Sequence, residues 1–160
     1  MEAAAAAEHG TAEMHVDERT GFAQGVDNHD SDFAARSTLK VETTTVDAAR
    51  KADGRKVALL KIDVEGFEDQ VLQGSRDTLS RDRPTVFLEL HHNVLRDRGV
   101  SSHKMFDSLA RLRYSLIRLN GKPVNLGAAV AAGSLMPRAH VLAVPCEQSS
   151  LLRASMRLRR

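Results

Sequence analysis

Sulfur, large aromatics and long apolar runs are all scarce in this chain. Its 160 residues hold one cysteine, Cys146, one tyrosine and no tryptophan. A lone cysteine closes no internal disulfide, so the fold must be held by burial, and a reducing cytoplasm is the expected setting. Cys146 follows an apolar run, which predicts a buried, inert thiol. No apolar stretch approaches the roughly 18 to 20 residues that span a bilayer. The start, Met1-Glu2 ahead of Ala3–Ala7, lacks the basic leader and long apolar segment of a secretory signal. A formal net charge of only +2 leaves no footprint for wholesale nucleic-acid binding. These absences leave a soluble cytoplasmic protein with neither nucleic acid nor membrane as partner, long enough for one modest domain.

Periodicity supplies the organisation. Ala12, Met14 and Val16 alternate with polar residues over Thr11–Asp17, predicting a half-buried strand. Gly21–Arg36 reads as a polar loop, and Leu39–Thr45 as a second strand. The two are expected to form a long-looped antiparallel pair at the edge of a larger sheet. A short helix, Asp47–Ala52, should end at Gly54. Val57–Ile62 is nearly continuous apolar sequence, as in a strand covered on both faces. Phe67, Val71, Leu72 and Leu79 recur at near-helical spacing, behind the acidic residues Glu65, Glu68 and Asp69. Beyond Pro84, Thr85–Leu90 reads as another buried strand. Phe106–Arg113 reads as a helix capped by Ser101 or Ser102, Tyr114–Leu119 and His140–Pro145 as strands, and Ala128–Ala132 as a brief helix. Strand and helix alternating with short links mean α/β, with parallel strands joined by a helical crossover. The domain is placed at residues 1–146. Residues 147–160 form a basic tail or helix whose charges, Arg153 to Arg160, are read as a solvated face.

In such a sheet, ligands sit outside the carboxyl ends of the strands. Asp63 falls at the end of the first apolar strand, Glu65 at the entrance to the next helix, and Gly66 permits a tight backbone there. Glu89 lies near the end of the following strand, just ahead of His91 and His92. Asp63 and Glu65 serve equally well as helix caps, since a carboxylate accepts the free N–H groups of a first turn. Glu89 within an apolar strand is harder to dismiss, because a buried carboxylate needs a partner. His91 and His92 alternate faces if both lie in the strand, so only one should reach a shared pocket. No H-E-x-x-H, Walker or G-x-S-x-G pattern is present, and no metal site is assigned.

The strings Lys61-Ile62-Asp63-Val64-Glu65-Gly66-Phe67-Glu68, Val71-Leu72-Gln73-Gly74, Arg83-Pro84 and Phe87-Leu88-Glu89-Leu90-His91 resemble the FkbM methyltransferase family. Val46-Asp47, Arg113-Tyr114 and Leu142-Ala143-Val144-Pro145 are similar to it as well. The resemblance covers about Thr11 to Pro145. It implies a Rossmann-like class I methyltransferase fold and transfer of the methyl group of S-adenosylmethionine. The methyl acceptor it implies is a small molecule, through a hydroxyl of a sugar, polyketide or similar metabolite. Val57–Ile62 would be the fourth strand, Thr85–Leu90 the fifth, and the tail would supply the sixth and the antiparallel seventh. The family's opening strand with its V-D-V-G-A-N-like loop finds no match here, nor does the acid-ended second strand. The expected fold is therefore incomplete, a C-terminal half without the first strands and the glycine-rich cofactor loop, and no cofactor-binding residue is assigned.

Within that frame Asp63 and His91 are the expected catalytic residues. Asp63 would orient the acceptor or the cofactor amine, and His91 would be the base, its reference pKa lying at about 6.5. Glu65, Glu89 and His92 would line the substrate side. Two further readings follow. One is a half-domain that has no activity alone and serves as an interaction module. The other is a divalent-metal-assisted transferase using the carboxylates of Asp63, Glu65 and Glu89. The sequence names no oligomeric state.

Overall fold

The computed structural model describes residues 3–17, 22–25, 37–118 and 138–149. The elements run β1 (Ala4–Ala5), β2 (Gly10–Asp17), β3 (Phe22–Gly25), β4 (Ser37–Thr44), α1 (Val46–Asp53), β5 (Leu59–Ile62), α2 (Glu68–Gln73) and α3 (Arg76–Arg81). They continue with β6 (Thr85–His91), α4 (His92–Asp97), α5 (Ser102–Arg111), β7 (Tyr114–Arg118) and β8 (Arg138–Pro145). The strands form two four-stranded sheets, in the orders β1-β4-β2-β3 and β5-β6-β8-β7.

The second sheet carries the core. Val86, Leu88 and Leu90 of β6 are fully buried and pack with Ile62, Leu79, Leu95, Phe106, Leu109, Val141 and Ala143. β5 and β6 pair in parallel, as a helical crossover requires, and β8 runs antiparallel to both β6 and β7. The alternating burial of β6 corrects the expectation of strands covered on both faces. Thr85, Phe87 and Glu89 on its second face are only half-buried. On β5, Leu59 is 63% exposed while Ile62 is buried. On the same face as Phe87, Ile117 and Val144 are nonetheless fully buried at the β7-β8 end, and among the described residues β5 has β6 as its single strand neighbour.

The first sheet departs further from expectation. β2 and β4 do pair antiparallel, from Gly10↔Thr43 to Val16↔Ser37, but in a sheet of their own and not at the edge of the larger one. The stretch read as a loop contains β3, which closes on β2 through Val16↔Ala23 and Asp17↔Phe22. Its partner strand, which supplies the missing backbone bonds, is invisible to a local reading. The alanine run also pairs, as β1 lies parallel to the end of β4.

The helical stretch behind Phe67 is broken in two at Gly74-Ser75. A Cβ on Gly74 would overlap the carbonyl oxygen of Ala6, so the first sheet comes within backbone contact of this break. Asp47 then starts α3, its carboxylate accepting from the N–H groups of Asp77 at 3.0 Å and Thr78 at 2.7 Å. α1 ends at Gly54 in the left-handed region, as expected, φ being 75°. Asp82 joins α1, α3 and the approach to β5. It accepts from Arg50 Nε at 2.9 Å and Nη2 at 2.8 Å, and from the Val57 N–H at 2.9 Å.

Cys146 is exposed, not buried. It opens a helical turn, 146–149, just beyond β8, where the chain leaves the sheet. Glu147 in that turn meets Arg83 at 3.0 Å, so the start of the segment read as a tail is tied to the domain. Ala128–Ala132 and Arg153–Arg160 lie outside the described residues. No described helix is long and apolar enough to cross a membrane.

Candidate active site

The parallel register of β5 and β6 sets Lys61 beside Phe87 and Ile62 beside Leu88. One step on, the chain delivers Asp63, just past the end of β5, next to Glu89, near the end of β6. β6 carries one more residue of the same parity, His91, before turning directly into α4. Adjacent strand ends therefore bring two carboxylates and an imidazole together. One donor atom from each of Asp63, Glu89 and His91 lies within 4.8 Å of the others.

His91 is the buried centre of this group, 2% exposed. Its Nδ1 lies 2.8 Å from Oε1 of Glu68, which is itself fully buried. The same Oε1 accepts the Gly66 N–H at 3.0 Å. The other ring nitrogen, Nε2, lies 3.0 Å from Oε2 of Glu65. The imidazole is thus held between two carboxylates from the turn that follows β5. A carboxylate behind one ring nitrogen fixes the ring's orientation.

That turn has an unusual backbone. Glu65 takes φ of 50° and Gly66 φ of 98°. A side chain on Gly66 would also run into Val94 of α4. Arg98 pins the turn from outside: it donates to the Gly66 carbonyl, pairs with Asp69 at 3.0 Å and stacks over Phe67 at 4.0 Å. Glycine satisfies both the positive φ and the close approach.

The expected residues are thereby sorted. Asp63, Glu65, Glu89 and His91 converge. The cap of α2 is Phe67, with no side-chain cap bond, so Asp63 and Glu65 are not used as its N-cap. Lys61 Nζ pairs with Asp63 at 2.7 Å, and Asp63 holds the Lys61 ammonium pKa above its ordinary value by hydrogen bond and charge. Glu89 has the partner its position demanded. His140, directly opposite on β8, sets its Nε2 3.3 Å from the carboxylate and stacks on Phe87. His92 stands apart as the first residue of α4, with Nδ1 3.0 Å from Ser102 Oγ, and burial lowers its pKa.

Two participants went unread in the sequence. Glu68 was taken only as an acid at a helix start, although a carboxylate three residues after Glu65 is the sole one here that the fold buries completely. His140 is recognisable only once β8 is known to lie against β6. Beside the group opens a cavity of about 860 Å³. One wall is Ala4–Met14 of the first sheet, and the other includes Asp63, Glu65, Phe67, Asp69 and Gln73.

A family model described as the methyltransferase FkbM domain matches residues 1–116. No curated protein and no solved structure matches the chain.

Proposed function

Because the chain belongs to the methyltransferase FkbM domain family, we propose that it is an S-adenosylmethionine-dependent methyltransferase acting in the cytoplasm on a hydroxyl of a small metabolite, sugar or polyketide. The observation that carries this reading is the imidazole of His91, backed by Glu68 and opening toward Asp63 and Glu89 at the carboxyl ends of two parallel strands. The strand directions support a Rossmann-like class I fold. β5, β6 and β7 point one way and β8 the other, as a fourth, fifth, sixth and antiparallel seventh strand would. The outer edge of β5, which has no strand neighbour among the described residues, supports an incomplete domain, in which further strands of the fold would lie beyond it.

The cavity fits the cofactor on two counts. Its volume lies in the range of small-molecule sites, about 300 to 1,000 Å³, and Asp63, Glu65 and Asp69 give it the sign that suits a sulfonium and an ammonium. S-adenosylmethionine supplies an electrophilic methyl on positively charged sulfur. The chain's own residues must then hold a hydroxyl in line with that carbon and remove its proton. Asp63 and Glu65 line the cavity and orient the acceptor, and Glu89, beside Asp63, extends the acidic rim outside that lining. His91 Nε2 takes the proton, while Glu68 on Nδ1 stabilises the imidazolium that forms. A base so placed is worth about 10² to 10⁴ in rate, and fixing the acceptor in line contributes through lost translational freedom.

Calorimetric titration with S-adenosylmethionine tests the reading. Micromolar binding, together with methyl transfer from labelled cofactor that Asp63→Asn depresses without unfolding the chain, is the expected result. No binding by the folded chain would refute it and favour a half-domain without activity of its own.

A further inference from the structure

We propose that the Asp63, Glu89 and His91 group binds a divalent cation of the Mn²⁺ or Zn²⁺ kind. The donors are two carboxylate oxygens and one imidazole nitrogen, from a loop and a strand that the sheet itself holds together. Bonds of about 2.0 to 2.2 Å put the ligands of a small cation about 3 to 4.4 Å apart. Atoms already within 4.8 Å of one another need only small side-chain rotations to close on it.

More than a cluster of acids is present. His91 is 2% exposed, so its ring was desolvated and fixed during folding. Its Nδ1 faces a fully buried carboxylate, Glu68, which the Gly66 N–H steadies in turn. That is the outer-shell arrangement by which proteins orient a metal-binding imidazole and raise its basicity. The remaining nitrogen, Nε2, is directed at the carboxylate side, 3.0 Å from Glu65 Oε2. Glu65 thus stands ready as a further oxygen ligand or as acceptor for a water on the ion.

Charge points the same way. Asp63, Glu65, Glu68 and Glu89 surround one imidazole, and Lys61 is the nearby cation that answers them, since Arg98 is matched by Asp69. Lys61 is 60% exposed along its side chain and swings into solvent at little cost. His140 holds Glu89 from the opposite strand, where its ring is braced on Phe87. A nitrogen among the donors favours a borderline first-row ion over calcium or magnesium, which prefer oxygen alone.

Binding does not depend on the proposed methyl transfer, although its chemical use does. In the loaded protein the ion lowers the pKa of an acceptor hydroxyl that reaches it. His91 then serves as ligand, the hydroxyl proton passes to the Glu65 carboxylate or to water, and His91 takes the proton only in the metal-free protein. The test is titration of the chelator-treated full chain with Mn²⁺, followed by calorimetry and electron paramagnetic resonance. One saturable site is expected. Asp63→Asn and Glu89→Gln should each weaken it about tenfold or more, and Asp97→Asn, on the exposed side of α4, should leave it unchanged. Lys61→Gln should tighten it, because the ammonium competes for Asp63. Because His91 variants risk unfolding, its part is read from spin-echo modulation by an imidazole nitrogen. No saturable binding of Mn²⁺ or Zn²⁺, or binding that survives both carboxylate variants, would overturn the proposal. Absence of the nitrogen modulation would overturn the role of His91.

Discussion

Removing the Glu68 carboxylate is the perturbation to which the site should respond most sharply. In Glu68→Ala the His91 Nδ1 and the Gly66 N–H both lose their acceptor, in surroundings with essentially no access to water. Breaking a buried pair from one side costs about 3 to 5 kcal/mol, since the partner stays desolvated. The change also deletes side-chain volume at a fully buried position, which argues for the upper half of that range. With a urea slope of about 2 kcal/mol per molar for a domain of this size, the midpoint should fall by about 2 M. Glu68→Gln keeps an oxygen for the Gly66 N–H but offers His91 a neutral amide, so about half that loss is expected. Replacing both groups, in Glu68→Leu with His91→Leu, should recover much of the stability, because no charge or donor is then stranded. Urea unfolding followed by circular dichroism measures these proteins together with the single variants Glu68→Leu and His91→Leu. A midpoint shift below about 0.3 M for Glu68→Ala, or a double variant whose loss merely equals the sum of the single losses, would refute the coupling.

Further outcomes follow from three other residues. Arg50, assisted by the Val57 N–H, pulls the Asp82 carboxyl down to about 2. Its stabilising effect is therefore complete above its unfolded value near 4 and is lost as pH falls through about 2, so Asp82→Asn should flatten the acid limb of an unfolding-against-pH curve. Tyr114, the one tyrosine in the sequence, is pushed up to about 12 by burial. Spectrophotometric titration of the folded chain should show no phenolate near pH 10, and stability should fall as pH rises from about 10 to 12, where the phenol ionises more readily unfolded. Tyr114→Phe should cost about 1 to 3 kcal/mol by chemical denaturation, because the buried Leu79 carbonyl loses the hydroxyl 3.1 Å away. Gly66→Ala forces a methyl against Val94 at φ of 98° and should lower the melting temperature by several degrees, more than alanine at Gly54, where nothing lies within 4 Å.

The larger sheet was legible in sequence because its signals are local. Apolar runs at 59–62 and 85–91, a turn signal at Gly54 and the amphipathic spacing around Phe106 and Leu109 each report their own element. The convergence of Asp63, Glu89 and His91 followed from one non-local rule, that ligands gather at the carboxyl ends of parallel strands. The failures share a cause as well. The break at Gly74-Ser75 depends on the approach of Ala6, and β3 depends on β2 for its backbone partners. His140 became a partner of Glu89 only through a pairing between residues far apart in sequence. The parity that sets Leu59 facing outward was invisible in an unbroken apolar run, where every residue looks equally fit for burial.

The order β5-β6-β8-β7 has a kinetic side. β7 precedes β8 in the chain, yet among the described residues its only strand contacts are with β8, from Tyr114↔Pro145 to Arg118↔Val141. It therefore joins the sheet only through β8, which lies between it and β6. Closing the connections to β8 carries a loop entropy that grows only as the logarithm of length, yet it falls due before any of the pairing is gained. β5, β6 and the helices between them need no contribution from β8 to pair, and β8 completes the sheet by satisfying two neighbours. Glu89 acquires His140 in that same step. The rim of the site is thus complete only once β8 is in place.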